Sequence, residues 1–543
     1  MRPLRPRGPL RPRTLVVGWD GATPQLLFPW VASGELPVLA QLMGASLAGP
    51  LCSVRPPMTL PAWSSFLTGV GPGVHGIVDF ALREPGSGRL RFLDARDRAV
   101  DTVPERLDGM GWRVGTALFP TTWPPRPLSG GQISGFDSPV ATTVPRSACS
   151  PPDLHDLIQG ELGHPLSFAA VSELRKGPRW EEEAAAALLQ GIEDKERVCL
   201  AMLTRGAPLD FFAVLFGESD TAAHHFWHLC DPTSPRHDPR GARRFGDVLL
   251  SVYRRLDQAL GALLEAQRWD CVVLASDHGF GPASDRVLHL NAWLAQEGFL
   301  RWSGRGTLAA VRHGVARSLP APLLDAALRR LPGSWIAEVE GRARWSSIDP
   351  RGTEVFSDEL NYAPSMRLNL QGRDPGGQVS ACASERAGLL ARLERALLDW
   401  RDPIGGQRIV RAVHPRERWM PGPCVDRAAD LFLELEEVAG CTWNVLPSRP
   451  GDPPVAWLPR GAWRGAKGMG MSGSHRQEGV FVLRTPGTDP GIGALAIEDL
   501  LPRWARDAGV DLPPPRPPAE ARSAGPEDPA GLADRLRSLG YMQ

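Results

Sequence analysis

The chain has 543 residues, enough for one large domain with its own core and an insertion. Lys and Arg total 61, as do Asp and Glu, so the formal net charge is zero and no global field favours nucleic acid or an anionic membrane. Cys52, Cys149, Cys199, Cys230, Cys271, Cys382, Cys424 and Cys441 are scattered without a Cys-x-x-Cys pair, which excludes the common zinc and redox motifs and reads as mostly reduced thiols.

Residues 1–13 form a basic, proline-rich extension, MRPLRPRGPLRPR. The apolar run after it is cut short by Asp20, so it fails as a signal peptide, and no stretch approaches the roughly 18 apolar residues of a membrane helix. A cytoplasmic enzyme is the expectation. Short apolar runs then recur with helical stretches between them: TLVVGW (14–19), VGTALF (114–119), FFAVLF (211–216), CVVLAS (271–276), DLFLEL (430–435) and GVFVLR (479–484). This spacing predicts an α/β fold with a parallel, doubly wound sheet.

The catalytic domain is expected over 14–280 and 471–510. Between about 281 and 470 the pattern loosens into Trp, Arg, Pro and Gly-rich sequence with amphipathic stretches such as LLARLERALLDW (389–400), read as an inserted cap that includes at least one core strand near 430–435. Residues 511–543 read as a proline-rich linker and a short helix, LADRLRSLGYM.

Ligands of open α/β sheets bind beyond the carboxyl ends of the strands, and the polar residues fall there. Asp20 ends the first run. In PPMTLPAWSSFLTGVGPGVHGIVDF (56–80), Thr59 sits where a helix N-cap belongs, followed by Leu60-Pro61. A good cap needs no further role, but a hydroxyl at a helix N-terminus lies in positive potential, and a bound metal would lower its pKa further, making an alkoxide nucleophile.

Asp220 and His224, four apart, share a face if their segment is helical and can bite one metal ion; a capping Asp beside a surface His is the bland alternative. His225 and His228 are read as supporting or structural. Asp277-His278-Gly279 puts two metal-capable side chains at a strand end, with Gly279 allowing a tight turn; a plain strand-end turn is the alternative. His475 lies in the glycine-rich GMGMSGSHRQEGVFVL, where a flexible backbone can return a side chain over a distant site.

Taken in order, Asp20, the TLPAW…SFLTGVGPGVHGI segment, Asp220-x-x-x-His224, Asp277-His278-Gly279 and the glycine-flanked His475 resemble the alkaline phosphatase superfamily over roughly residues 14 to 510. Within it, the likeness is to the type I phosphodiesterase/nucleotide pyrophosphatase branch, especially its bacterial predicted phosphohydrolases and phosphomutases. The resemblance implies an alkaline-phosphatase-like, mostly parallel sheet flanked by helices on both faces, with an inserted cap region. It implies that Asp20, Thr59, Asp277 and His278 hold one divalent metal ion, and Asp220, His224 and His475 a second. It further implies that Thr59 attacks phosphorus in line, giving a covalent phospho- or nucleotidyl-threonine that water hydrolyses.

Nitrogen and carboxylate ligation of this kind suits zinc, with manganese compatible. Where the pyrophosphatase branch reads Thr-Phe-Pro-Asn, this chain has Thr59-Leu60-Pro61-Ala62, so the Asn amide contact to phosphate is missing. Sulfatase relatives carry Cys or Ser with Arg four residues later; here Thr59 and Trp63 stand instead. The expected activity is hydrolysis of a small-molecule phosphate monoester or diester, a nucleotide among the candidates. Phosphomutase or phosphotransferase chemistry through the same intermediate, and metal-dependent binding without catalysis, are the alternatives.

Overall fold

The computed structural model describes residues 11–135, 144–164, 179–303, 347–359, 363–380, 382–459 and 470–518. Most of the expected N-terminal extension and the whole LADRLRSLGYM segment lie outside the described residues.

A ten-stranded sheet organises the chain. Thr14–Trp19, Phe211–Phe216 and Cys271–Ala275 are buried along their whole length, as strands covered on both faces must be. Thr14–Trp19 is central, parallel to Phe211–Phe216 on one side and to Cys271–Ala275 on the other. Val114–Ala117 extends the parallel set beyond Phe211–Phe216. Glu478–Arg484 enters antiparallel between Cys271–Ala275 and Leu47–Cys52.

Period-2 alternation divides the side chains between two cores. Leu15, Val17 and Trp19 join Phe212, Val214 and Phe216 beneath the helices Trp180–Thr204, Glu218–Cys230 and Val248–Ala266. Val16 joins Phe211, Ala213 and Leu215 on the opposite face, under Thr59–Thr68, Val103–Gly109 and Ile497–Asp507. The fold is thus the expected mostly parallel sheet with helices on both faces. Its three central parallel strands end on the same edge, immediately before Asp20, the helix carrying Asp220, and Asp277.

The run at 430–435 departs from the doubly wound pattern. It forms Leu431–Leu435 in a separate four-stranded antiparallel sheet with Ser365–Leu368, Val410–Pro415 and Val355–Phe356. The reason is in its pattern: Glu434 and Leu435 are only half-buried, and a strand with one wetted end belongs in an antiparallel sheet with an open face. Helix Ala383–Asp399 buries Leu389, Leu393 and Leu397, four apart, as a stripe in the same core. Strand Gly279–Leu288 links the two regions, pairing with Gly473–Arg476 near its start and with Thr442–Val445 and Val455–Trp457 further on. Among the described residues no single helix is long and apolar enough to cross a membrane.

Candidate functional site

The ends of the central strands are fastened to one another before any ligand is considered. The Asp20 N–H donates to the Phe216 carbonyl at 2.9 Å, and Ser219 Oγ donates to the Asp20 carbonyl at 2.6 Å. Gly21 has φ +65°, and a Cβ there would lie 3.2 Å from Asp220 Cα, so glycine permits both the turn and the close approach of the Asp220 helix. The Gly21 N–H donates to Asp277 Oδ1 at 3.1 Å. Gly279 differs from its expected role. It starts a strand, and a Cβ there would stand 2.0 Å from the Glu478 carbonyl oxygen, so close passage of the neighbouring chain demands it.

Thr59 also sits one position from its expected place. Met58, with φ −118° and ψ 136°, holds the extended cap conformation, and Thr59 is the first helical residue of Thr59–Thr68. Among the described residues its hydroxyl faces His278, with Oγ1 3.3 Å from Nε2. Pro61 removes one backbone donor from the helix's first turn. Ala62 is fully buried in the apolar cluster beneath. Trp63 Nε1 donates to Asp20 Oδ2 at 3.1 Å, a contact that nothing in the spacing of the sequence signals.

Helix Glu218–Cys230 puts Asp220 and His224 on one face, with His224 Nε2 3.3 Å from Asp220 Oδ1. His475, paired across the ladder with Phe280, brings its Nε2 to 3.2 Å from the same oxygen and 3.1 Å from His224 Nε2. Its ring stacks on that of His278 with centroids 3.5 Å apart. Thus five separate segments deliver Asp20, Thr59, Asp220, His224, Asp277, His278 and His475 to one buried cluster.

All three imidazoles turn Nδ1 toward a backbone carbonyl: His224 toward Gly473 at 3.1 Å, His278 toward Gly279 at 3.1 Å, and His475 toward Pro57 at 2.9 Å. A carbonyl can only accept, so each Nδ1 carries a proton and each Nε2 is left facing inward. Burial, reinforced by the neighbouring His475, holds His278 well below the ordinary histidine range. Burial likewise lowers His475 to about 4, against the pull of Asp220. Burial and the adjacent Asp20 carboxylate push Asp277 well above the usual carboxylate range.

Inward-facing Nε2 atoms among carboxylate oxygens make a donor set of the kind that binds a divalent cation. Asp220, His278 and His475 form one group, and Asp20, Asp277 and His278 another, with the donor atoms of each within 4.8 Å of one another. Asp277 Oδ2 is buried and makes no hydrogen bond among the described residues. The donor set fits divalent cations at two adjoining positions, with His278 between them.

His225 packs edge-on against Trp180, and His228 Nδ1 lies 3.1 Å from Ser472 Oγ, so both belong to the scaffold behind the cluster. His75, also fully buried, is held by Ser65 Oγ at 2.9 Å from Nε2 and by the Ile77 N–H at 3.1 Å from Nδ1.

The model of the type I phosphodiesterase/nucleotide pyrophosphatase family matches residues 14–342. No curated protein matches the chain in sequence. Among solved structures, phosphonoacetate hydrolase from Sinorhizobium meliloti 1021, in complex with phosphonoformate, is similar with a TM-score of 0.51 at 18% identity, over 92% of this chain and 96% of that one. Murine ectonucleotide pyrophosphatase/phosphodiesterase 5 gives 0.45 at 15% identity, over 92% of this chain and 96% of that one. The human protein of that name gives 0.47 at 14%, with the same coverage of both chains. At 18% identity the likeness to the hydrolase is one of fold.

Proposed function

The chain belongs to the type I phosphodiesterase/nucleotide pyrophosphatase family and is a phosphoric ester hydrolase, and from that premise we propose that Thr59 is its nucleophile, working with two divalent cations. The observation that carries this reading is the Thr59 hydroxyl at the start of a helix, 3.3 Å from the Nε2 of His278, the residue common to both donor groups.

Asp20, Thr59, Asp277 and His278 would hold one ion, and Asp220, His224 and His475 the other. Zinc suits this nitrogen and carboxylate set, with manganese compatible. Such ions supply a lowered hydroxyl pKa and neutralise charge on the phosphoryl oxygens.

The rest of the chemistry falls to the chain. Thr59 Oγ1 releases its proton to solvent and bonds to phosphorus as the ester oxygen of the leaving group departs. Water then cleaves the phosphothreonine, returning the hydroxyl and releasing phosphate or the remaining monoester. The backbone donors that remain in the first helical turn beside Pro61 aim at the phosphoryl oxygens, since a helix N-terminus favours anions. With alanine at position 62, no side-chain amide adds to them, so less of the substrate's binding is tied to one phosphate geometry. Residues 281–470 act as the cap that selects the leaving group, a reading supported by strand Gly279–Leu288, which starts next to His278 and runs into that region.

Acid-quenching the enzyme during turnover of an aryl phosphodiester and digesting it should leave one added phosphoryl or monoester group on the peptide containing Thr59. Rapid turnover with the modification absent, or found on another residue, would refute the covalent route.

A further inference from the structure

Arg236 is fully buried, yet no carboxylate lies within ion-pair distance of it among the described residues. Its guanidinium donates instead to backbone: Nη1 to the carbonyls of Gly470 at 2.6 Å and Met471 at 2.9 Å, and Nη2 to the carbonyl of Ser284. Its Nε–H has no partner among the described residues. Asp285 acts on the guanidinium only from beyond ion-pair distance, and a cation buried mainly on carbonyl dipoles is costlier than an apolar side chain of similar volume. The contacts Arg236 makes must therefore be judged by what they position.

They straddle the ladder that carries His475. Gly473–Arg476 pairs with Gly279–Pro282 over four residues a side, and three of those eight, Gly279, Gly281 and Gly473, are glycines. Beyond His475 the chain is anchored where Glu478–Arg484 joins the main sheet, but the end of so short a ladder where Gly473 meets Pro282 depends on contacts before and after it, and a slip of one residue there would turn His475 from the cluster to the other face. Arg236 grips Gly470 and Met471 just before one strand and Ser284 just after the paired stretch of the other. Between these points the Ala283 N–H donates to the Ser472 carbonyl at 2.9 Å, and the Ser472 N–H to the His224 carbonyl at 3.0 Å. The Ser284 carbonyl also accepts from Asn444 Nδ2 at 2.8 Å, which ties the same point to strand Thr442–Val445.

We infer that Arg236 is a positioning residue that fixes the register of this ladder and thereby aims His475 Nε2 at the metal position it shares with Asp220. The inference rests on the reading of His475 as a ligand, and the test separates the two. Zinc affinity is measured by competition with a chromophoric chelator on the full-length wild-type chain, on Arg236→Gln, on His475→Ala and on the double variant, with circular dichroism and thermal melting alongside. Arg236→Gln should lower zinc affinity about 10- to 100-fold, as loss of a ligand-orienting contact does. In the double variant the effect should vanish, with affinity equal to that of His475→Ala alone, because Arg236 then has no ligand left to aim. Additive losses, or unchanged affinity in folded Arg236→Gln, would overturn the inference while leaving the ligand set standing. Unchanged affinity in His475→Ala would overturn the ligand set and this inference with it. If Arg236→Gln does not fold, Arg236→Lys, which keeps the charge but cannot span three carbonyls, carries the same comparison.

Discussion

At the scale of single residues, the cluster is held in shape by groups outside its donor set. Trp63 claims one oxygen of Asp20, and three backbone carbonyls fix the Nδ1 proton of His224, His278 and His475. Trp63→Phe removes a buried donor to a carboxylate and should cost about 1–3 kcal/mol of stability, read from denaturant midpoints on metal-free protein, together with a loss of zinc affinity. His75 gives a pH signature away from the cluster. Burial, with Arg98 nearby, lowers it to about 3. The unfolded chain takes up this proton below about pH 6.5 while the folded chain refuses it, so stability is complete above that pH and declines as the pH falls toward 3. With chelator present, unfolding by urea at pH 5 against pH 7 should show a loss of up to about 2 kcal/mol from this residue, at about 1.4 per pH unit below 6.5. A folded His75→Gln variant should lack that share of the pH dependence. The polar types and their order along the chain made Asp20, Asp220 and Asp277-His278 visible in the sequence. Trp63 and Arg236 left no such mark, because indole-to-carboxylate and guanidinium-to-carbonyl contacts depend on distant backbone that no local spacing records.

At the scale of elements, strands buried on both faces carry the plainest signal in the sequence. TLVVGW, FFAVLF and CVVLAS are near-continuous apolar runs, and each ends one or a few residues before a member of the cluster. DLFLEL carries a similar composition but ends half-wet, and so it pairs antiparallel in the other sheet. The Thr59 helix begins one residue earlier than a Thr59 cap implies, since Met58 caps through backbone conformation alone and a Met in that role gives no sequence signal. The amphipathic stretch 389–400 falls within helix Ala383–Asp399, whose stripe makes a further test possible. Leu393 is fully buried there, so Leu393→Ala should cost about 2–5 kcal/mol in thermal or urea unfolding while leaving the number of bound metal ions unchanged. A drop in metal content in that variant would mean that the 281–470 region supports the cluster itself.

At the scale of the whole molecule, a neutral chain with no global field gathers five segments into one buried set of oxygen and nitrogen donors, so any selectivity for anions is local. Two features make the family's chemistry legible here: strand ends that converge on one edge of the sheet, and a helix that opens on a threonine. The leaving group is not legible, because the region read as selecting it, 281–470, carries no motif tied to one chemical group, while Ala62, packed into the core, bears only on how the phosphate is held. The central claim, a threonine nucleophile on a two-metal centre, is tested most directly by purifying Thr59→Ala and measuring its metal content and its turnover of an aryl phosphodiester together. The account predicts two divalent ions per chain, as in the wild type, with turnover down roughly a thousandfold or more. Turnover at the wild-type rate, or an active wild-type enzyme free of metal, would contradict it.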